Sequence, residues 1–170
     1  MDAPEIRLAT PDTPELLAAT REIFREYAQS LQVDLCFQNF DDELAHLPGD
    51  YDTPSGALLL AFVDNQLAGC GALRPLANAD NGNSCEMKRL FVRPAFRRFG
   101  LGRVIAQALL DEAQRAGYSE VLLDTLDDME AARELYASLG FEEIPPYYYN
   151  PIPGAHYLRA MLGVSPHSQY

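Results

Sequence analysis

Ser84 to Gly117 reads SCEMKRLFVRPAFRRFGLGRVIAQALLDEAQRAG, and its three parts decide the fold. An apolar, strand-like run from Cys85 to Val92 leads into a basic loop, Arg97-Arg98-Phe99-Gly100-Leu101-Gly102-Arg103, and then into a helix beginning at about Gly102. The helix follows from Leu101, Val104, Ile105, Ala108 and Leu109, which recur at helical spacing and predict one apolar stripe. Its first backbone N–H groups lack internal partners and carry the positive end of the dipole, so the loop suits a phosphate. Gly100 and Gly102 have no Cβ to hold such a ligand away. Arg97, Arg98 and Arg103 add cations beside those amides, in a chain whose net charge is −12. A strand, a basic glycine loop and a helix, in that order, would hold a phosphorylated ligand against a strand end.

Two familiar phosphate loops do not fit. The GxxxxGK[ST] pattern needs Lys and Ser/Thr where Arg103 and Val104 stand, and GxGxxG lacks its third glycine here. Further along the chain, Leu135-Tyr136-x-x-Leu139-Gly140-Phe141 closes another helical stripe. Together with the strand Cys85 to Val92, the RxxGxG loop Arg97 to Gly102 and the helix after it, this order and spacing resembles the core motifs of the GNAT superfamily of acetyl-CoA-dependent N-acetyltransferases. The match covers about Ser84 to Phe141. The fold it implies takes in almost the whole chain as one acyl-CoA N-acyltransferase domain, residues 1–170.

Working outward, Glu5 to Ala9 alternates as a short strand, and Thr13-Pro14 offers an N-cap and a first-turn proline to a helix over Pro14 to Gln29. Leu16, Leu17, Ile23, Phe24, Tyr27 and Leu31 form its buried face, with Glu15, Arg21, Glu22, Arg25 and Glu26 in water. Gln32 to Tyr51 reads as a partly extended stretch followed by a short helix over Asp41 to Leu47, opened by an Asp cap. Ala57 to Val63 and Gln66 to Leu73 form a hairpin about Asp64-Asn65. Pro75 to Ser84 reads as a mobile loop.

After the central helix, which a glycine ends at Ala116-Gly117, Glu120 to Thr125 is a strand apolar on both faces and parallel to Cys85–Val92. Asp127 with Glu130 caps a helix whose stripe is Met129, Ala132, Leu135, Tyr136 and Leu139, closed by Gly140. Phe141 to Ile144 and His156 to Leu162 are the last strands, separated by the proline- and tyrosine-rich loop Pro145 to Gly154. The fold expected is therefore α/β in the α+β sense: a mixed, mostly antiparallel sheet of about seven strands with about four flanking helices. The resemblance adds a splay between strands 4 and 5.

Composition narrows the function classes. At 170 residues with 48% hydrophobic content the chain is long enough to bury roughly 70% of its unfolded surface. That composition and the absence of a broad basic face argue against disorder and against general nucleic-acid binding. Cys36, Cys70 and Cys85 make no CxxC pair and His46, His156 and His167 have no ligand spacing, so the expectation is reduced core thiols and no metal. No signal-peptide pattern or membrane-length apolar run is present, and cytoplasm is the expected compartment.

The resemblance implies a direct attack by a primary amine of a small molecule or peptide on the acetyl-CoA thioester, with no membrane or nucleic-acid partner. It implies that the backbone of Leu90, Phe91 and Val92 lines the pantetheine arm and that the amides of Arg98 to Arg103 hold the pyrophosphate. Tyr136 resembles the superfamily tyrosine that protonates the leaving thiolate. Its ordinary pKa of about 10 leaves it protonated at neutral pH. Met129 stands where many members carry Asn, which puts one polar contact to the pantetheine arm in question.

Glu86, acidic within an apolar strand, is the candidate base, acting directly or through water, since burial there is expected to raise its pKa. Pairing with Lys88, on the same face by alternation, is the structural alternative. Holding an acidic substrate group or Asp124 on the neighbouring strand is the other use open to Lys88. Phe37, Phe40, Tyr147 and Tyr148 are candidate substrate-wall residues, with dimer contact the other use of the tyrosine loop, so the state expected is monomer or homodimer. A non-catalytic acyl-CoA-binding regulatory module is the alternative to an enzyme.

Overall fold

The computed structural model describes residues 3–31, 39–76, 83–126, 130–150 and 152–163. Phe37, Met129, Cys36 and the expected Asp127 cap lie outside them. Strands β1 (Ile6–Ala9), β2 (Ala57–Val63), β3 (Gln66–Leu76), β4 (Ser84–Val92), β5 (Glu120–Leu126), β6 (Glu142–Ile144) and β7 (Ala155–Met161) form one sheet in the order β1-β2-β3-β4-β5-β7-β6. All pairs are antiparallel except β4 with β5. Helices α1 (Pro14–Ser30), α2 (Phe40–Ala45), α3 (Leu101–Arg115) and α4 (Glu130–Ser138) flank it. The expected seven strands and four helices are therefore in place.

Local chemistry explains most boundaries. Thr13 accepts the Leu16 N–H at 3.2 Å and Pro14 opens α1. Asp64 and Asn65, at φ 48° and 68°, make the two-residue turn between β2 and β3. The αL glycine Gly100, at φ 70°, turns the 3₁₀ segment Pro94–Phe99 into α3.

Several expectations need correction. The short helix is Phe40–Ala45, not Asp41–Leu47, and it is entered from Asn39 in the left-handed region, φ 56°, without a side-chain cap. Asp41, Asp42 and Glu43 instead occupy its first turn, where the helix dipole favours carboxylates. Pro75 and Leu76 belong to β3 and Ser84 to β4, because the ladder continues through Pro75↔Cys85 and Leu76↔Ser84. The buried stripe of α3 is Leu101, Ile105, Ala106, Leu109, Leu110 and Ala113, while Val104 is exposed. On α1, Arg21 and Glu26 are not simply in water: Arg21 Nε donates to the Leu44 carbonyl at 2.9 Å, and Glu26 takes Arg93 Nε and Nη2 at 2.9 and 2.6 Å.

The sheet separates two apolar layers. Leu73, Met87, Val121 and Leu123 pack with Leu101, Ile105 and Leu109 of α3 and with Tyr136 and Phe141. Leu58, Leu60, Cys70 and Phe91 pack with Ile23 and Phe24 of α1 and Phe40 and Leu44 of α2. Gly69 and Gly71 let α3 approach β3 closely, since a Cβ on Gly71 would lie 2.6 Å from Ile105 Cγ2. Among the described residues no helix is long and apolar enough to cross a membrane.

Candidate active site

Two irregularities in β4 create the site. The parallel ladder with β5 covers only Ser84↔Glu120, Cys85↔Val121 and Glu86↔Leu122, although the strands run on to Val92 and Leu126. They part beyond Glu86, which is the splay that the resemblance implied. On the other edge the register with β3 passes from Cys70↔Phe91 to Ala72↔Lys88, setting Arg89 and Leu90 against the single residue Gly71. This is a bulge, and Arg89 carries it at φ 62°, an uncommon conformation for a residue with a Cβ.

The bulge aims two successive cations, Lys88 and Arg89, at the α1/α2 layer, where a regular strand would have sent them to opposite faces. Arg89 is buried, and its guanidinium donates Nε to Glu43 Oε2 at 2.9 Å and Nη2 to Oε1 at 2.8 Å. The Phe40 and Tyr27 rings lie beside it, with centroids 5.2 and 5.9 Å away. Cys70 Sγ donates to the Arg89 carbonyl at 3.2 Å. Sequence patterning did not mark Arg89 or Glu43. The only local hint was a charge pair, Lys88-Arg89, inside a buried strand.

Two cavities meet at this point. The larger, about 470 Å³, is lined by Leu90, Phe91 and Val92 of β4, Arg97, Gly102 at the start of α3, and Glu130, Ala131, Ala132 and Leu135 of α4. Its dimensions and lining suit the pantetheine and pyrophosphate of an acyl-CoA: a strand edge along one wall and unpaired helix N–H groups at one end. Arg97 Nε is anchored on the Val92 carbonyl at 3.0 Å. Arg98 lies over the Phe99 ring at 4.7 Å and Phe99 packs on Phe96. Arg103 points away toward α4, donating to Ser138 Oγ at 2.6 Å. Gly102 faces Leu135 of α4, where a Cβ would come to 3.3 Å.

The smaller cavity opens between the splayed strands. Met87, Lys88, Arg89 and Leu90 line it from β4, Asp124, Thr125 and Leu126 from β5, Tyr27 and Leu31 from the end of α1, Tyr136 from α4, and Asn150 and Ile152 from the β6–β7 loop. Tyr136 is buried, packs edge-on against Phe141 at 5.5 Å, and has its pKa raised by burial, with Tyr27 and Asp124 adding to the shift. It is thus firmly a donor at neutral pH.

Glu86 departs from expectation. Burial alone pushes its carboxyl pKa up, but the Lys88 and Arg74 charges and the Tyr147 and Arg74 hydrogen bonds outweigh burial, and the net direction is down. Arg74 reaches Oε1 with Nε at 2.9 Å and Nη2 at 2.8 Å, Tyr147 donates to Oε2 at 2.7 Å, and Lys88 Nζ stands 3.8 Å from Oε1. The lone-strand reading missed these partners because Arg74 and Tyr147 come from 12 and 61 residues away.

The tyrosine loop ties the splay together. Tyr147 bonds Glu86 on β4, while Tyr148 and Asn150 donate to Asp124 Oδ2 on β5 at 2.6 and 3.1 Å. Tyr147, Tyr148 and Tyr157 pack mutually with centroids 5.3 to 5.5 Å apart, whereas Tyr149 is exposed. Tyr147 and Tyr148 therefore fasten carboxylates at the cavity's edge. Phe40, expected on the substrate wall, is buried in the core beneath Arg89. Asp124 and Asn150 were not chosen from sequence as site residues; an aspartate within the apolar VLLDTL was the available signal for the first.

Comparison with known proteins agrees with this geometry. The chain is 39% identical over 160 residues to an uncharacterized N-acetyltransferase of Schizosaccharomyces pombe, covering 94% of this chain and 96% of that one. It is 28% identical over 138 residues to an uncharacterized N-acetyltransferase of Escherichia coli, covering 81% of each. The fold is similar to that of a GNAT-family acetyltransferase from Staphylococcus aureus, at a TM-score of 0.74 and 20% identity over 94% of this chain and all of that one. It is also similar to a Salmonella typhimurium protein solved with its cofactor acetyl-CoA, at a TM-score of 0.69 and 21% identity over 97% of each chain. The model of the Acetyltransferase (GNAT) family matches residues 17–141. With the splayed β4–β5 pair, the glycine-led α3 and this match in agreement, the chain belongs to the GNAT acetyltransferase family and is an acyltransferase.

Proposed function

We propose that this chain, as one catalytic domain, transfers the acetyl group of acetyl-CoA to a primary amine by direct attack within the β4–β5 splay. The observation that carries the reading is the parting of the parallel strands after Glu86 and Leu122, which puts the Tyr136 side of α4 on the wall of the opening. The donor supplies an activated thioester, and everything else falls to residues of the chain.

Leu90, Phe91 and Val92 hold the pantetheine arm along their strand edge, and the N–H groups at the start of α3 hold the pyrophosphate, with Arg97 and Arg98 close by. The bulge takes Leu90 out of the regular ladder, which suits its N–H to donate to a developing oxyanion. Tyr136 gives its proton to the departing sulfur, a role that its raised pKa supports. Glu86, ionised throughout the neutral range, is a weak direct base; it receives the ammonium proton through water and keeps Arg74 and Tyr147 in place. A cytoplasmic setting accords with buried, free Cys70 and Cys85.

Calorimetric titration with acetyl-CoA, then thiol release with an amine panel, tests the reading. Arg98→Glu and Gly100→Asp should each weaken binding, and Tyr136→Phe should lower kcat about 10²-fold or more without loss of acetyl-CoA binding. Unchanged turnover in Tyr136→Phe would refute the general-acid role, and an unaltered pH profile in Glu86→Gln would remove Glu86 from proton transfer. A protein that bound acetyl-CoA yet released no thiol with any amine would refute transfer to a primary amine.

A further inference from the structure

Asp124 lies just past Leu122, the last residue of β5 that pairs with β4. Val121 and Leu123 pack into the layer under α3, so alternation sends Asp124 to the opposite face, beside the gap. Of the described residues that line the smaller cavity it is the one carboxylate, and it shares that cavity with Tyr136 and with Leu90 of the bulge. Glu86 is not part of that lining, and its Oε1 and Oε2 are engaged by Arg74 and Tyr147. The β6–β7 loop sets the direction of the Asp124 carboxylate. Tyr148 O–H and Asn150 Nδ2 donate to the same oxygen, Oδ2, at 2.6 and 3.1 Å. Each donor is itself held: Asn150 Oδ1 accepts the Ile152 N–H at 2.9 Å, and Tyr148 packs on Tyr147 and Tyr157 while its carbonyl takes the Tyr157 O–H at 3.0 Å. Burial and the Asp124 charge raise the Tyr148 pKa, so it stays a donor. A carboxylate offers about four acceptor positions, and two donors placed on Oδ2 leave Oδ1 able to take one from the cavity.

An amine attacking a thioester turns positive and acidic at nitrogen as the C–N bond forms, and a carboxylate within reach lowers that barrier by accepting the proton. We propose that Asp124 is this acceptor, and that Tyr148 and Asn150 are positioning residues that hold its Oδ2 so that Oδ1 meets the attacking nitrogen. This rests on the acetyl-transfer reading above and adds a step to it. Of the three ammonium protons, the first leaves through water by the Glu86 route. The neutral amine then forms its C–N bond, the second proton passes from nitrogen to Asp124, and the C–S bond breaks as Tyr136 protonates the sulfur. The proton on Asp124 afterwards restores Tyr136, and the third proton stays on the amide nitrogen, so one proton is released per turnover.

The test is thiol release from acetyl-CoA with benzylamine, spermidine, each free amino acid and a lysine-containing peptide, continued on variants with the best of these. Asp124→Asn should lower kcat about 10²-fold or more while acetyl-CoA affinity, read by calorimetry, is kept, and Asp124→Glu should keep part of the rate. The rising limb of the Asp124→Asn pH–rate profile should move to higher pH, because nitrogen must then lose its second proton to solvent. Lys88 and Arg89 from β4, Tyr27 from α1, Tyr136 from α4, Tyr157 opposite on β7 and the two loop donors face Asp124, and all are retained in that variant. Tyr148→Phe and Asn150→Ala should each lower kcat by up to about 10-fold, with KM for the amine little changed. Asp124→Asn combined with Tyr148→Phe should be no slower than Asp124→Asn alone, since Tyr148 acts through Asp124. An Asp124→Asn kcat within about threefold of the parent, an unmoved pH profile, or a loss confined to KM overturns the proton role. Additive losses in the double variant overturn the positioning role. If Asp124→Asn fails to bind acetyl-CoA, Tyr148→Phe decides: an unchanged kcat there overturns the inference. Acetyl-CoA binding by the parent without transfer to any amine removes the underlying reading instead.

Discussion

Replacing Glu43 with alanine removes the two hydrogen bonds that it accepts from Arg89, a residue only 3% exposed in the layer under α2. The arginine cannot escape by losing its proton, because a guanidinium stays charged even when it is buried. Removing one partner of a buried ion pair costs about 3–5 kcal/mol, because the remaining charge loses its main compensation. The Phe40 and Tyr27 rings already face Arg89 and return no more than about 0.5–2 kcal/mol. The pair also holds a residue at φ 62°, a conformation that costs about 1–2 kcal/mol outside glycine. A net loss of about 1–4.5 kcal/mol is therefore expected, read from urea unfolding at constant m-value. For a chain of this size that corresponds to a melting point lower by roughly 2–18 °C. Adding Arg89→Met removes the buried charge as well, so the double variant should be more stable than Glu43→Ala alone. A Glu43→Ala protein within about 1 kcal/mol of the parent, or a double variant no better than the single, would refute the argument.

Two further outcomes follow from the packing and the ionisable groups. A side chain at Gly71 would start with its Cβ 2.6 Å from Ile105 Cγ2 and 2.9 Å from Leu109 Cδ1, so Gly71→Val should destabilise by about 1–3 kcal/mol and weaken acetyl-CoA binding by shifting the bulge opposite; a thermal melt and a titration check both. Tyr27 is pushed up to about 12 chiefly by burial, and Tyr136, Tyr147 and Tyr148 are raised as well, the last two also by Glu86 and Asp124. Unfolded tyrosines lose their protons near pH 10 and these later, so the folded state binds more protons above that point. Their stabilising effect is complete below about pH 10 and is lost as pH rises. Tyrosinate absorbance followed beside far-UV circular dichroism should show these residues titrating with unfolding, and titration near pH 10 in a still-folded protein would contradict the burial argument.

How much was legible beforehand divides along the reach of the forces involved. Helix α1 with its Thr13 cap, the Asp64-Asn65 turn and the Gly100 entry into α3 rest on capping, φ preference and periodicity, all of which act over a few neighbouring residues. These local signals sufficed to order the seven strands along the chain and place the glycine loop at the start of α3. They failed where a short-range rule was overridden by packing: Val104 fits the apolar stripe yet is exposed, and the Asp41 cap yielded to Asn39.

The site's electrostatics belonged to the tertiary structure. Glu86 in sequence is an acid in an apolar strand, for which burial argues a raised pKa. In the fold Arg74, Lys88 and Tyr147 surround it and reverse the sign. Arg89 and Glu43 meet across 46 residues, Tyr148 and Asp124 across 24. Periodicity gives the face a side chain takes while the strand stays regular; the bulge at Arg89 breaks that rule and turns two adjacent cations to one side. The sequence by itself determined the order of elements, most of the apolar faces and the glycine-led entry into α3, because each is written in local spacing. Which charges meet, and hence what the site can hold, was decided only when β4 bulged and parted from β5, because Coulomb and hydrogen-bond partners are set by distance in space.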